Sequence, residues 1–319
     1  MRPVLRGLAT LLLLGTGLMS LAAWLGPLDW RLDLLSHLRP HYALLLALAL
    51  SLTAAQRRPR AAALAGLLLL VELTQLAPFW LSGQAPAGPP ALRLVHFNVL
   101  SSNPRKDEAV RWLSAAGADL VLVQEVDPAW ADALARAPGL VALDVVARAD
   151  NFGIAWLVRQ DVQDRVVRTW REELVPGIPA LAAELDVGGR RVAVLGVHTL
   201  PPVRADYAAR RDAALAAAAR WTADQRAAGR VPVVLGDLNA TPFSAPLRRL
   251  LADAGLVDSQ RGFGLQASWP VGRPAPQLAI DHCLHDPALT TVARALGPDL
   301  GSDHLPLRVD LAWSMGQDP

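Results

Sequence analysis

The chain has 319 residues, of which 52% are hydrophobic and 19% charged, and its formal net charge is +2. This composition excludes an intrinsically disordered protein and a collagen-like or coiled-coil rod. The mean hydropathy of +0.27 is higher than a soluble enzyme needs, so part of the chain is expected in a membrane. Cys283 is the single cysteine, which excludes an intramolecular disulfide and a thiolate-rich zinc site.

The apolar excess lies in residues 1–81, where three runs predict about three transmembrane helices. No charged residue lies between Arg6 and Asp29. The run at residues 7–28 is therefore long enough to cross a bilayer core, which takes about 20 residues per span. The second span, at about 40–56, is short for a full crossing. The third, at 61–81, contains Glu72, which is either a functional intramembrane acid or a group that faces other helices or a wet interface. A cleaved signal peptide is the alternative for the first run, but no small-x-small cleavage site ends it.

The distribution of arginines predicts the orientation in the membrane. Two arginines precede the first run and three lie between the second and third, whereas two arginines and two aspartates balance between the first and second. The positive-inside rule then predicts a multi-pass protein of the cell (inner) membrane, with a cytoplasmic N-terminus and everything after residue 81 outside. If the short second run does not span, the C-terminal part returns to the cytoplasm. The arginines that decide this are Arg2, Arg6, Arg57, Arg58 and Arg60.

A soluble domain is predicted after the membrane region. Residues 82–90 are rich in Gly and Pro and uncharged, which predicts a stiff linker. Residues 91–319 carry 24 basic and 26 acidic side chains, a net charge of −2, which disfavours a protein that grips long nucleic acids through a basic face.

Short β-rich runs alternate with helical patterns in this domain, which predicts a mixed α/β body. Gly188 and Gly189 separate runs at 182–187 and 190–195, which predicts an antiparallel hairpin and argues against a purely parallel sheet. The other predicted strands are 92–99, 120–126, 152–158, 192–198, 233–236, 278–284 and 305–311. The predicted helices are 105–116, 204–228 and 245–254.

Acids, amides and histidines close most of the predicted strands. Strand ends are rigid and can hold a reacting group to the tolerance that catalysis requires. Buried carboxylates are costly unless they are paired or bound to a cation, and no lysine lies in these segments to pair with them. Oxygen ligands without cysteine select magnesium, manganese or calcium over zinc, and phosphate-ester chemistry is the natural use of such a site. The carboxylates that we expect to converge are Glu125, Asp237, Asp281 and Asp303.

Each of these residues also has a plain structural explanation. Asp237 to Asn239 is compatible with an Asx turn before a helix cap, Glu125 with an exposed acid, and Asp303 with a loop salt bridge. A single histidine such as His198 is more often structural than catalytic. Their joint occurrence in order, nearly all after an extended apolar run, favours a site.

Six motifs carry a family resemblance. They are HFNV at 96–99, VQEV at 123–126, GVHT at 196–199, LGDLNATP at 235–242, IDH at 280–282 and GSDHLP at 301–306. In this order they resemble the endonuclease/exonuclease/phosphatase superfamily, with coverage of residues 93–311. The resemblance implies a DNase I-like, four-layer αββα sandwich. Because membrane helices precede it, the chain resembles a membrane-anchored bacterial branch of that superfamily.

The resemblance also implies a metal site. Glu125 would ligate a catalytic Mg²⁺, for which Mn²⁺ is a substitute, with Asn98 beside it as a ligand or phosphate contact. Asp237 and Asn239 would orient and polarise the attacking water, Asp237 also counting among the metal ligands. Asp303 would be a further ligand of the metal or of the water.

The remaining implied roles concern the phosphate. His304, oriented by Asp281, would be the general base or the group that contacts the scissile phosphate. His198 would hydrogen-bond a phosphate oxygen or assist the leaving group. Asn151 is either a phosphate contact or a turn residue, and Trp269 either a substrate contact or a core side chain.

The sequence therefore predicts a membrane-anchored, Mg²⁺-dependent phosphoesterase that hydrolyses a phosphate ester or pyrophosphate. Its partners are the bilayer and a phosphorylated substrate, for which a lipid-linked phosphate is slightly favoured. A membrane-anchored endonuclease or exonuclease is the alternative, although the net charge does not favour nucleic acid. A catalytically silent membrane binding module is the second alternative, against which the retained carboxylates and histidine argue. No obligate protein partner is predicted.

Overall fold

The chain folds into an N-terminal helical region followed by a domain of two β-sheets. The structure is a computed structural model that describes residues 2–81, 88–273 and 275–315, so residues 82–87 of the predicted linker lie outside the described residues. The helices are α1 (Arg2–Ala22), α2 (Trp30–Ser36), α3 (Arg39–Ala55), α4 (Pro59–Leu76), α5 (Pro78–Leu81), α6 (Lys106–Ala115), α7 (Pro128–Leu134), α8 (Ala205–Ala227) and α9 (Ala245–Ala254). The strands are β1 (Leu92–Asn98), β2 (Leu120–Gln124), β3 (Leu140–Val146), β4 (Ile154–Arg159), β5 (Val166–Val175), β6 (Ile178–Val187), β7 (Arg190–Gly196), β8 (Val231–Asp237), β9 (Val257–Asp258), β10 (Asp281–His285), β11 (Leu289–Leu296) and β12 (Leu307–Trp313).

The predicted four-layer αββα sandwich is confirmed. One sheet has the order β11-β12-β1-β2-β4-β3 and the other β5-β6-β7-β8-β10-β9. Their facing sides bury a shared core that includes Leu122, Trp156 and Leu235. Helices α6 and α7 cover the outer face of the first sheet, and α8 and α9 that of the second. Apolar residues on both faces of the central strands explain why these strands read as continuous hydrophobic runs.

Strand pairing collects the polar strand ends at one rim of the sandwich. β1 and β2 are parallel, with Asn98 beside Gln124 at their carboxyl ends. β8 and β10 are antiparallel, so the last residue of β8, Asp237, lies opposite the first residue of β10, Asp281. Gly236 lets the end of β8 lie close to the segment that follows β7, because its φ is 144° and a Cβ there would lie 2.0 Å from the carbonyl oxygen of Val197.

Most predicted elements are found within a few residues of their expected bounds. The hairpin through Gly188 and Gly189 joins β6 and β7 as predicted. Four strands and one helix of this domain were not predicted. The helix is α7, and the strands, β3, β5, β9 and β11, are the four edge strands of the two sheets.

The helical region contains two helices that are long and apolar enough to cross a membrane, Pro3–Leu25 and Pro59–Leu76. A third candidate is the pair α2 and α3, which is bent by 60° at its break. The segment between the first two predicted spans is therefore a helix, α2, rather than a simple loop. The third predicted span is divided, because α4 ends at Leu76 and the short α5 follows.

Glu72 faces other helices. Its Oε1 accepts hydrogen bonds from Ser20 at 2.5 Å and from Arg39 Nη1 at 3.1 Å, and all three residues are buried. The charges between the first two predicted spans are thus not all loop charges, since Arg39 pairs with Glu72 inside the helical region.

Helices α2 and α5 contact the two-sheet domain directly. The amides of Gly262 and Gly264 donate to the carbonyls of Pro78 and Phe79 at 3.2 and 2.7 Å. The Phe79 ring packs edge-on against that of Phe243, with centroids 5.6 Å apart. The helical region is therefore joined to the domain by main-chain hydrogen bonds as well as by apolar packing.

Candidate active site

A histidine–aspartate–histidine chain forms the buried wall of the rim. Asp281 Oδ2 lies 2.9 Å from His304 Nδ1, and its Oδ1 lies 2.7 Å from His96 Nε2. Both carboxylate oxygens are therefore taken by imidazoles. The bond to Nδ1 fixes the orientation of His304 and leaves its Nε2 directed at Asp237 Oδ2, 3.6 Å away.

A second group of polar side chains lies beside this chain. Asn98 Nδ2 donates to Glu125 Oε1 at 3.0 Å and lies 3.4 Å from Asp237 Oδ2. The amide of Ser101 donates to the other oxygen of Glu125 at 3.4 Å. Glu125 has a positive φ of 63°, a conformation that turns the chain directly after β2. The predicted convergence of Asn98, Glu125 and Asp237 is therefore found.

The electrostatics of these acids differ. Burial raises the pKa of Glu125, and it raises the pKa of Asp237 to about 7. Burial would do the same to Asp281, yet the neighbouring imidazoles of His304 and His96 hold the pKa of that carboxyl well below its usual range. Burial opposes the charge of His304, but Asp281 and the other nearby carboxylates raise its pKa to about 9. His304 and Asp281 therefore form an ion pair at neutral pH.

His198 is a neutral imidazole on the other side of Asp237. Burial, with the nearby His304 and His96, lowers its pKa to about 3. Its Nε2 lies 3.7 Å from Asp237 Oδ2, and its Nδ1 is buried without a hydrogen-bond partner among the described residues. The ring packs against Phe152, with centroids 5.2 Å apart. A neutral imidazole next to an open cavity can donate one hydrogen bond to a bound anion.

A cavity of about 480 Å³ opens onto these side chains. Asn151 lies at its mouth and accepts a hydrogen bond from Ser101 Oγ at 3.2 Å. Trp269 lines the cavity, and its Nε1 donates to Asp303 Oδ2 at 3.1 Å. Trp269 is thus a cavity wall rather than a fully buried core residue. The predicted site residues that line the cavity are Glu125, Asn151, His198, Asp237, Asn239, Trp269, Asp303 and His304.

Asp237 is both an Asx-turn residue and a side chain of the candidate site. Asn239 N donates to Asp237 Oδ1 at 2.9 Å, which is an Asx turn. The second oxygen, Oδ2, faces Asn98, His198 and His304. Asn239 itself has a φ of 45°, and its side chain donates to the carbonyl of Thr199 at 2.9 Å. The turn therefore orients one functional oxygen of Asp237 while it satisfies the other.

The donor set fits a divalent cation. Asp237, Asp281 and His304 each offer one ligand atom within 4.8 Å of the others. Since Asp281 and His304 already bond to each other, the oxygens left for a cation are those of Glu125 and Asp237. Within residues 2–81, 88–273 and 275–315 neither pairs with Arg or Lys; His304 Nε2 lies 3.6 Å from Asp237 Oδ2, but this imidazolium is already paired with Asp281, so the buried acids of the rim exceed its single positive charge. Among the basic side chains that the structure describes, Asp303 has only a long contact of 3.7 Å with Arg273.

Two buried residues of the rim have contacts that the sequence analysis did not predict. His96 holds Asp281, and Gln124 accepts a hydrogen bond from the amide of Asp237 at 3.1 Å and donates to the carbonyl of Val197 at 2.8 Å. Each stands within two residues of a predicted site residue, Asn98 or Glu125. A polar side chain in an otherwise apolar strand was the available signal.

The comparisons with known proteins agree with this geometry. The sequence model described as "Endonuclease/Exonuclease/phosphatase family" matches residues 95–304. A stretch of 130 residues, 38% of this chain, is 32% identical to the "Inositol phosphosphingolipids phospholipase C" of Saccharomyces cerevisiae, and it spans only 26% of the yeast protein.

Solved structures share the fold of the two-sheet domain. A humanized variant of TDP2 from D. rerio superposes with a TM-score of 0.57 at 17% identity, covering 69% of this chain and 98% of that one. A mannosyl-6-phosphatase from Bacteroides thetaiotaomicron superposes with a TM-score of 0.55 at 15% identity, covering 70% of this chain and 100% of the other. At these identities the likeness concerns the fold alone.

Proposed function

Because the chain belongs to the endonuclease/exonuclease/phosphatase family, we propose that it is a membrane-anchored phosphoesterase that hydrolyses a phosphate ester or pyrophosphate of a membrane lipid. Its cofactor is Mg²⁺, for which Mn²⁺ can substitute. Family members hydrolyse phosphate esters, and the buried acids and histidines at the rim supply the groups that this reaction needs.

One observation carries the choice of a lipid substrate. A single guanidinium connects the turn at Asn239 to the helical region. Arg211 donates both to the carbonyl of Asn239 at 3.4 Å and to Asp33 of α2 at 3.2 Å. Asn239, which lines the cavity, is therefore separated by a single buried side chain from the helical region, which we call the anchor. The name of the yeast relative, a phospholipase C for inositol phosphosphingolipids, supports a lipid ester as well.

Five of the seven arginines in residues 1–81 belong to one end of the helical region, which supports three membrane spans of the predicted orientation. Gln56 Nε2 and Arg58 Nη1 donate to the carbonyls of Leu5 and Arg6 at 3.2 and 3.4 Å, so the turn between α3 and α4 lies beside the start of α1. The opposite ends of the helices face the catalytic domain. With the positive-inside rule we place the arginine end in the cytoplasm and the domain outside. Digestion of the domain by protease added to sealed right-side-out vesicles is expected, and its protection would contradict this orientation.

Each side chain has a definite task in the proposed reaction. Glu125, with Asn98 and Asp303, would hold the divalent cation. When bound, the cation would neutralise charge on the phosphoryl oxygens. Oδ1 of Asp237 accepts the amide of Asn239, whereas Oδ2 faces the cavity side chains and has only a long hydrogen bond, at 3.4 Å, from Asn98 Nδ2 among the described residues. We assign this oxygen to the attacking water, whose proton it accepts; a carboxylate with a pKa of about 7 suits that transfer.

The histidines hold the phosphate. His304 is charged at neutral pH and directs Nε2–H into the cavity while Asp281 accepts the hydrogen bond from its Nδ1–H. His198, being neutral, donates one hydrogen bond to another phosphoryl oxygen. Both donors are buried and held in place before substrate arrives, so they stabilise the developing charge without reorganisation.

The test is hydrolysis by the full-length protein in detergent with Mg²⁺. The probes are a sphingolipid phosphodiester in mixed micelles, a polyprenyl pyrophosphate and supercoiled DNA, run in parallel. His304→Ala is the site variant, and Asp253→Asn, an exposed change on α9, is the matched control.

We expect hydrolysis of one of the lipid probes, lost in His304→Ala and retained in Asp253→Asn. Nicking of DNA without action on either lipid would replace the proposal by the nuclease. A wild-type protein that is inactive on all three probes would favour a silent binding module.

A further inference from the structure

The turn that follows strand β8, whose last residue is Asp237, contacts helix α2 of the anchor and the residue that follows α2. His37, the residue after α2, directs Nδ1 at Thr241, 2.9 Å from its Oγ1 and 3.2 Å from its backbone nitrogen. Because the Thr241 amide can only donate, Nδ1 is the acceptor and the proton of this imidazole resides on Nε2. All these atoms are buried, two residues beyond Asn239.

Asp33 of α2 holds the next part of the same turn. Its Oδ1 accepts the amide of Ala245 at 2.7 Å, and its Oδ2 accepts the hydroxyl of Ser244 at 2.8 Å. Ser244 occupies the N-cap position of α9, but its side chain forms no capping bond to that helix. Asp33, more than 200 residues away in sequence, therefore caps α9 from the anchor, where a negative charge is favoured by the helix dipole.

Arg211 connects Asp33 to the catalytic turn. The side chain is completely buried, and it donates to Asp33 Oδ2 at 3.2 Å, to Asp212 at 2.9 Å and to the carbonyl of Asn239 at 3.4 Å. Asp212 is partly exposed, so Asp33 is the buried counter-charge of this guanidinium. Without Asp33, Arg211 has one partner less inside the protein and its contact with Asn239 loses its support.

Asn239 needs that support. Its backbone lies in the left-handed region, which is unfavourable for a residue with a side chain, and its amide holds the Oδ1 of Asp237. A shift of this turn would rotate the side chain of Asp237 and move its Oδ2 away from the cavity. Movements of about 1 Å at a catalytic group can lower a rate by about 10²-fold.

We propose that Asp33 and His37 are positioning residues of the catalytic site, so that the anchor forms a structural part of the active centre. We call the five residues Asp33, His37, Arg211, Thr241 and Ser244 the anchor latch. The inference rests on the proposed phosphoesterase activity for its kinetic consequence, but the latch itself can be measured without substrate. It also means that the catalytic domain depends on α2 for its rate and not only for its location.

The experiment compares variants of the full-length protein in detergent. Asp33→Ala removes the cap and the counter-charge, and His37→Ala removes the acceptor for Thr241. His37→Asn is the conservative variant, because its amide oxygen can replace Nδ1 as acceptor. Arg31→Gln is the matched control: Arg31 is an exposed residue of α2 whose described contacts are with Asp29 and Trp30.

Two readouts are taken on each variant. On the lipid probe that the wild type hydrolyses, we expect Asp33→Ala and His37→Ala to lower kcat by about 10- to 100-fold with KM nearly unchanged, and His37→Asn to recover most of it. Amide hydrogen exchange in residues 239–245 is expected to accelerate about tenfold or more in Asp33→Ala and to stay at the wild-type rate in Arg31→Gln.

The outcomes separate the two proposals. If Asp33→Ala lowers only the unfolding temperature and keeps kcat within about twofold of Arg31→Gln, the residue is merely structural and the inference is overturned. If the wild type hydrolyses no probe, the proposed function fails, and hydrogen exchange alone decides the latch. Unchanged exchange in residues 239–245 of Asp33→Ala would then overturn it, and faster exchange would support it.

Discussion

Two buried glutamates, one in each region of the molecule, show how a structural acid differs from a functional one. Glu72 in the helical region is fully buried and has a charged partner, since Arg39 Nη1 lies 3.1 and 3.2 Å from its two oxygens. Glu125 at the rim is 7% exposed, and its hydrogen-bond partners among the described residues are one amide side chain and one backbone amide. Arg39 neutralises the first charge inside the protein, and we propose that a bound divalent cation neutralises the second.

The largest expected effect lies at the rim. Substitution of His304 by alanine removes the charged donor that Asp281 holds toward the phosphate. We expect kcat to fall by about 10²- to 10⁴-fold, which initial rates on the hydrolysed lipid probe would measure. His285→Ala is the matched control, because this histidine ends the neighbouring part of β10 and bonds to Thr291 outside the cavity. Equal losses in both variants would assign the effect to folding.

The helical region is expected to respond in stability. Arg39→Met leaves Glu72 as an unpaired buried charge, so the free energy of unfolding should fall by about 3–5 kcal/mol. The double variant Arg39→Met/Glu72→Leu removes both charges and should regain most of the loss. Thermal unfolding in detergent measures both. A double variant as unstable as the single one would show that the ion pair is not what Arg39 contributes.

The stability of the cation-free protein should depend on the charge of His304. This residue has a pKa of about 9 in the folded protein against 6.5 when unfolded. Between these values His304 keeps its proton in the folded chain and loses it in the unfolded chain, so its contribution to stability is full below pH 6.5 and is lost as the pH rises through 9. Unfolding temperatures with a chelator at pH 6 and 9.5 test this. His304→Gln should flatten the decline; an unchanged decline would assign it to another group.

The smallest expected effect concerns the cavity wall. Trp269→Phe keeps an aromatic ring, although a smaller one, and removes the hydrogen bond from Nε1 to Asp303. We expect kcat/KM to fall about three- to tenfold, since one hydrogen bond to a charged group is lost at a partly exposed position. Trp313→Phe, a change at the end of β12 where Arg190 stacks, should leave the rate unchanged. A fall in kcat/KM of the same size in Trp313→Phe would contradict a specific role of Trp269 in the cavity wall.

The interior of the fold could be predicted from sequence, and its edges could not. Strands β2 and β8 are apolar on both faces until their last residue, so each appears as a continuous hydrophobic run. The four missed strands are the sheet edges, where a face meets solvent; β5, for example, carries Arg168, Arg171 and Glu172. Edge strands commonly carry charges, which protect them from pairing with other chains but remove the hydrophobic signal.

The candidate site divides in the same way. Side chains at the ends of central strands, such as Glu125 and Asp237, could be predicted because parallel and antiparallel pairing brings strand ends to one rim. The anchor latch could not, because Asp33 and Ser244 are 211 positions apart and no local pattern connects a short helix to a distant N-cap. The charges of residues 29–39 were interpreted by their number between spans, and the structure places Asp33 and Arg39 in buried pairs instead.

The most direct test of the contrast between Glu72 and Glu125 is Mg²⁺ binding, measured by titration calorimetry on the full-length protein in detergent. Wild type, Glu125→Gln and Glu72→Gln would be titrated under identical conditions. We predict saturable binding in the wild type and in Glu72→Gln, and its loss in Glu125→Gln. Absence of binding to the wild type, or equal binding to Glu125→Gln, would contradict the assignment of the rim as the cation site.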